Sequence, residues 1–359
     1  MEATPVYRVF GVGGVGCRIA DAVVERTGGR LAGVAADTDF AALDALAYCR
    51  RLAFGRKRFG GLGSAGDVSA ARMSAEEERA SFSRELEGTS VAVAVAGLGG
   101  GTGAGALPVL LKAAEERGVP VLVVVLSPFA MQGADRVRAA STALRSLGDL
   151  GTARVLLSCD DLVAGAPGAS LQEALDRATE VVVAALSLLW KMSELRGYVN
   201  LGPADVVQIL RAGRGAVDFG RAVASGPRRF SEATDALWNQ PGLGLASKAS
   251  GAKAALLCVL GGPDLRLQEV GDAVTAVSAM LPFGTPVRLS TVVDPAAAGR
   301  LELVVLLFRR WAEPGAEDGG GAAASAASAR FADTAATIED GEDLDQPTFI
   351  RRRLHVESD

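Results

Sequence analysis

The chain has 359 residues, 49% of them hydrophobic, and a formal net charge of -5 from 37 basic and 42 acidic side chains, so a nucleic-acid partner, which needs a basic field, is not expected. Four scattered cysteines (Cys17, Cys49, Cys159, Cys258) and one histidine, His355, lack metal-ligand or disulfide spacing, so no metal site in the protein's own side chains is expected. No apolar run reaches the ~18 residues of a membrane span and the first residues carry no signal-peptide pattern, which points to a soluble, reduced, cytoplasmic protein.

From residue 6 to about 159, short β-rich runs alternate with longer helical ones: 6–12 then 14–27, 31–36 then 39–48, 91–96 then 103–117, 119–126 then 132–148, and finally 155–158. The alternation predicts an α/β fold with a Rossmann-like parallel sheet, binding its ligand where strands end in loops. A long helix is expected over 169–196, opened by Ser170 as a cap and stopped near Gly197. Leu171, Leu175, Ala178, Val182, Ala185 and Leu189 keep helical spacing, so this helix should pack along the first domain. Beyond residue 204, a helix at 228–238, a strand at 254–261, a helix at 266–279 and strands at 286–292 and 301–309 suggest a C-terminal α+β domain. Residues 311–343 are rich in Gly, Ala, Ser and acids, too poor in large apolar groups to repay ordering, and read as a disordered linker. The tail, 344–359, gathers Pro347, Phe349 and Ile350 with Arg351, Arg352 and Arg353; a short docking peptide and a solvated end both fit that composition.

Two glycine loops carry the chemistry. The first strand runs into Gly11-Val12-Gly13-Gly14-Val15-Gly16, a GxGxxG pattern with Asp37 about 20 residues on, which alone is a dinucleotide-binding fingerprint or a purely structural turn. The second follows the Val/Ala run 91–96: Gly97-Leu98-Gly99-Gly100-Gly101-Thr102-Gly103-Ala104-Gly105. Glycines here leave amide donors open to a polyphosphate, and Thr102 adds a hydroxyl at a helix start. Neither loop has the lysine of a P-loop. A nicotinamide-dependent oxidoreductase would explain Gly11–Gly16 and Asp37 but not the second loop, and no His or Tyr catalyst accompanies them.

The stretch GGGTGAG at 99–105 resembles the tubulin/FtsZ signature GGGTG[ST]G, departing from it at Ala104. Also similar to that family are the first loop, Ala36-Asp37-Thr38-Asp39, Gly61-Leu62-Gly63, the 128–136 segment ending in Arg136, Asn200–Val206, and the tail at 345–352. The resemblance covers residues 6–310 and the tail, in order. It implies a GTP-binding domain at 1–168, a central helix and the loop after it at 169–203, a C-terminal α+β domain at 204–310, a linker at 311–343 and a partner-binding tail at 344–359. It further implies GTP or GDP with Mg²⁺ as cofactors, a head-to-tail homopolymer, and membrane-tethering or regulatory proteins of the division site bound through Pro347, Phe349, Ile350 and Arg351.

By the same resemblance, nucleotide is held by Gly13, Gly14, Gly16, Arg18, Gly99, Gly100, Gly101, Thr102, Gly103, Gln132, Arg136 and Glu180. Asp205, supplied by the next subunit, orients the attacking water. Asp205 equally fits a solvated helix cap, and Glu180 equally fits an exposed helix acid. Several positions depart from the family: Gly202 replaces a second aspartate, Arg18 an Asn, Gln132 a Glu, Cys159 an Asn, Leu175 a base-packing Phe and Glu180 a guanine-reading Asp. Slow turnover is therefore expected, since an orienting or acid–base group typically carries about 10²–10⁴ in rate. A non-hydrolysing structural or regulatory paralogue is the alternative.

Overall fold

The computed structural model describes residues 6–147, 152–164, 168–194, 197, 199, 201–239, 244–312, 338–339 and 342–343. In chain order it runs β1 (Tyr7–Val12), α1 (Gly13–Arg26), β2 (Ala32–Asp37), α2 (Phe40–Asp44), β3 (Arg50–Ala53), α3 (Arg56–Phe59), α4 (Val68–Glu77) and α5 (Arg79–Glu85). Next come β4 (Val91–Gly97), α6 (Gly101–Glu116), β5 (Val121–Ser127), α7 (Ala134–Ser146), β6 (Ala153–Ser158), α8 (Cys159–Leu162) and α9 (Leu171–Glu194). The remainder is α10 (Pro203–Ala212), β7 (Gly213–Ser225), α11 (Arg229–Asn239), β8 (Ala254–Gly261), α12 (Leu267–Met280), β9 (Val287–Val293), β10 (Arg300–Trp311), β11 (Ile338–Glu339) and β12 (Glu342–Asp343).

The first six strands lie in the order β3-β2-β1-β4-β5-β6, all parallel. The order reverses between β1 and β4, because the chain leaves β1 toward β2 and leaves β4 toward β5. Such a switch point opens a crevice at the carboxyl ends of the two central strands.

The residues of β4 show why this half folds so. Val91, Val93 and Val95 point into a core shared with α1 and α9, and Ala92, Ala94 and Ala96 into the opposite core, under α6 and α7. The alternation is of large and small side chains rather than apolar and polar, since helices cover both faces. Small residues lie where α6 comes close, and that helix itself begins Gly-Thr-Gly-Ala-Gly-Ala. Ala178, Val182 and Ala185 of α9 are buried in the first core as their spacing predicts, whereas the side chains of Leu171 and Leu189 lie outside the described residues.

Two stretches depart from the sequence expectations. Residues 50–90 hold β3, α3, α4 and α5, none of which has a strong periodic signal. The start of α4 is fixed locally, by Asp67 Oδ1 accepting the Ala70 N–H at 2.8 Å, and its length comes from packing on α6. The 13-residue β7 begins Gly-Arg-Gly and was hidden by its glycines; it forms because it is paired along both edges, parallel to β6 and antiparallel to β10. Through β7 the sheet continues as β10-β8-β9, so the described residues between 6 and 312 are built on one ten-stranded sheet and belong to one compact unit.

Behind β8 and β10, α11 and α12 cover a third core. There the guanidinium of Arg229, a residue 6% exposed, donates to both carboxylate oxygens of Glu269 at 2.7 Å and to the Asp264 side chain, tying α11 to the start of α12. In the second unit, residues 313–359, β11 pairs antiparallel with β12. Most of the expected linker and the tail residues Pro347, Phe349, Ile350 and Arg351 lie outside the described residues. Among the described residues, no helix is long and apolar enough to cross a membrane.

Candidate functional site

At the switch point a cleft of about 390 Å³ opens, in the range of small-ligand sites. One end is built from backbone. Gly13 and Gly14, the first residues of α1, face Gly99–Gly103, which lead into α6. Two helix N-termini, with their free N–H groups and the positive ends of their dipoles, thus meet in one crevice.

The glycines permit the approach. Gly13 has φ +73°, and a Cβ on it would sit 2.8 Å from the Gly103 backbone nitrogen. A Cβ on Gly103 would overlap the Gly97 carbonyl oxygen, and one on Gly101 the Ser64 hydroxyl. Gly16 does not line the cleft; it lets α1 lie directly against the Val95 carbonyl of β4. Gly100 has open space where a side chain would be, on the cleft side of the loop.

A buried hydroxyl chain ties three loops together under this floor. Thr102 Oγ1 lies 2.7 Å from Thr38 Oγ1 and 3.0 Å from Ser64 Oγ. The 60–64 loop is pinned to the end of β2 through Phe40 N–H to Gly61 O (3.0 Å) and Gly63 N–H to Thr38 O (3.2 Å). The sequence singled out Gly61-Leu62-Gly63, Thr102 and, within Ala36-Asp37-Thr38-Asp39, Thr38, but missed Ser64 and the contact among the three hydroxyls. Nothing in their spacing announces a contact; only a serine inside a run of positive-φ glycines hints at one.

Asp37, the dinucleotide-type acidic residue, is 3% exposed and is not on the cleft wall. Burial pushes its carboxyl up, while the N–H groups of Asp39 and Thr38, which it accepts, pull it down. A ribose-binding carboxylate has to face its ligand, so the nicotinamide reading loses its second support.

The other end of the cleft is built from side chains: Val15 and Arg18 of α1, Phe129, Gln132, Arg136, Cys159 and, from α9, Leu175. Arg18, Gln132 and Arg136 are exposed. Burial, then the neighbouring Asp160 charge, pushes the Cys159 thiol up to about 11, so it is neutral at physiological pH.

Two sequence candidates lie elsewhere. Glu180 lines a different cleft, of about 500 Å³, with Arg26, Lys191, Arg221, Arg300 and Glu302. The cations there are already paired: Arg221 and Arg300 with Glu302 at 2.7 and 3.2 Å, Lys191 with Asp294 at 2.9 Å and Arg26 with Asp176 at 3.2 Å. That cleft therefore offers no convergent set of open donors. Asp205 sits in the first turn of α10, where its Oδ2 accepts the Gly202 N–H at 2.7 Å, and it does not line the glycine cleft of its own chain.

Among the described residues, no cluster of three His, Cys, Asp or Glu side chains is placed to hold a metal. Mg²⁺ does not require one, since it keeps several waters and rests on ligand phosphates. The Ser64 and Thr102 hydroxyl oxygens at the glycine end fit that sparse role.

Residues 7–165 match the family model described as Tubulin/FtsZ family, GTPase domain. Over its length the chain is similar to the cell division protein FtsZ of Pseudomonas aeruginosa, with 29% identity covering 98% of this chain and 90% of that protein. Among solved structures it resembles an empty FtsZ dimer from M. jannaschii, with a TM-score of 0.76 and 25% identity over 86% of this chain and 89% of that one. It also resembles a GTPγS-bound protofilament of CetZ2 from Haloferax volcanii, with a TM-score of 0.72 and 28% identity over 84% and 92% of the two chains.

Proposed function

We propose that this chain, whose residues 7–165 match the Tubulin/FtsZ family GTPase domain model, is an FtsZ-like GTP-binding protein that polymerises head to tail into filaments organising cell division at the cytoplasmic division site. The observation that carries this reading is the meeting of two glycine-built helix starts at the switch point between β1 and β4. The N–H groups of Gly13, Gly14 and the 99–103 loop offset polyphosphate charge without a lysine, and Arg136 and Arg18 supply cations at the rim. Mg²⁺, when bound with the nucleotide, would neutralise phosphate charge beside Ser64 and Thr102.

The cleft has no carboxylate on its described walls to orient water. Asp205 from the next subunit fills that role in this reading, and a contact between unlike faces repeats into a filament rather than closing. Because Gly202 supplies no second acceptor, and Asp205 already accepts the Gly202 N–H, turnover is slow. The same hydrogen bond favours a second reading, a non-hydrolysing assembly factor in which Asp205 serves only as a cap. The tail around Pro347, Phe349, Ile350 and Arg351 is proposed to hold membrane-tethering or regulatory partners.

Phosphate release from GTP and Mg²⁺, measured over a protein concentration series with sedimentation in parallel, tests the proposal. Release above a threshold concentration, together with pelleting, supports hydrolysis completed between subunits. Asp205→Asn keeps an oxygen to cap Gly202 and should pellet normally while release drops about 10²-fold or more. Pelleting without release in the native chain supports the assembly factor, and failure to bind nucleotide or to pellet removes both readings.

A further inference from the structure

We infer that the nucleotide cleft accepts purine nucleoside triphosphates without selecting guanine over adenine. The inference rests on the nucleotide-binding reading above and adds to it the specificity of the base end.

Guanine is told from adenine at its Watson–Crick edge, where N1–H and the 2-amino group are adjacent donors; adenine has an acceptor at N1 and no 2-amino group. A site that selects guanine needs an acceptor pair facing that edge, which a carboxylate supplies. Among the described residues, the cleft is lined by no Asp or Glu at all. Its base end offers Leu175 and Phe129, the neutral Cys159 thiol, the donor-only Arg18 guanidinium and the Gln132 amide. The Gln132 side chain is exposed, and its amide can turn either its oxygen or its NH₂ to a base edge.

The helix geometry of α9 explains the missing acid. Leu175 enters the cleft, and the residues sharing its face, three, four and seven positions on, are Ala178, Thr179 and Val182, all buried. None is acidic, and the Thr179 hydroxyl donates to the Leu175 carbonyl at 2.7 Å. Glu180 is one step further, about 140° round the helix from Leu175, and so faces the other cleft. The nearby acids are engaged elsewhere: Asp176 pairs with Arg26, and Asp160 accepts the Ala130 N–H.

A pocket built to hydrogen-bond its ligand rejects an analogue lacking the group by about 10⁴–10⁵, whereas an apolar wall discriminates weakly. Displacement of a ribose-labelled fluorescent GTP from the full chain by unlabelled GTP, ITP and ATP reads the difference. The expected result is affinities within about 10-fold of one another, ITP testing the 2-amino group alone. GTP binding more than about 100-fold tighter than ATP overturns the inference and leaves the nucleotide reading standing. Failure of every triphosphate to bind overturns the nucleotide reading and this inference with it. Thr179→Asp places a carboxylate on the Leu175 face and is expected to raise the GTP-to-ATP preference at least about 10-fold. A folded variant with an unchanged ratio overturns the assignment of specificity to that face, and should the buried acid prevent folding, the native series decides alone.

Discussion

The two ends of the cleft are made of different material. At the glycine end the cleft is lined by the backbone of Gly13, Gly14 and Gly99–Gly103, placed by a parallel sheet and two helix starts. At the base end it is lined by side chains from α1, α9 and the segments after β5 and β6. Where the loops touch, at Gly13, Gly101 and Gly103, a single Cβ would come within 2.8 Å of a neighbouring atom, whereas a side-chain wall can be rewritten one residue at a time without moving the fold. The glycine end is therefore the more constrained of the two.

The largest effect should come from breaking the glycine end. Gly103→Ala puts a methyl group into the Gly97 carbonyl oxygen, with the Val12 carbonyl oxygen 3.2 Å away. Neither backbone atom can yield, so nucleotide binding should be lost and stability reduced by about 1–3 kcal/mol, read by fluorescent-nucleotide titration and urea midpoint. Binding that survives would mean that the two loops need not meet.

A loss of stability remote from both ends separates fold from site. Arg229→Met leaves the partly buried Glu269 without its partner and should cost about 3 kcal/mol, the low end for a broken buried pair because Glu269 keeps some exposure and Asp264 is half exposed. Nucleotide affinity should remain within about 2-fold wherever the variant is folded. The same cluster sets an acid limit. The Arg229 side chain holds the Glu269 carboxyl low, and the Gly299 N–H, then Arg229, do so for Asp264. Carboxylates depressed in the folded state stabilise it above their unfolded values, so stability should fall as pH drops below about 4.5, less steeply in Arg229→Met.

Thr102→Val sharpens the comparison within the glycine end. It removes the hydroxyl shared by Thr38 and Ser64 while keeping the shape, and should cost about 1–2 kcal/mol. Affinity for all triphosphates should fall together, with no change in base preference.

The smallest effect belongs to the base end. Burial raises the thiols of Cys159, to about 11, and Cys49, to about 12, so native protein at pH 8 should react slowly with iodoacetamide and unfolded protein at all four cysteines. Thiols raised in the folded state stabilise it below their unfolded values, so stability should decline as pH rises past about 9. Protection of Cys159, but not of Cys49, should increase when any purine triphosphate is added.

Much was legible in the sequence because it is written locally. The strand and helix periods of residues 6–48 and 91–158, the length of α9 and the two glycine loops each depend on a few neighbouring residues, and the parallel αβ order follows from their alternation. What the sequence could not settle is whatever depends on contacts far along the chain. β7 became a strand only through its distant partners β6 and β10. Ser64, Thr38 and Thr102 became one hydroxyl chain only when three loops converged. Glu180 and Thr179 are adjacent in sequence, yet a rotation of about 100° per helical residue sends one to a different cleft and the other to the face of Leu175. Backbone chemistry is encoded where glycine stands; the direction of a side chain is decided only when the helix that bears it has packed.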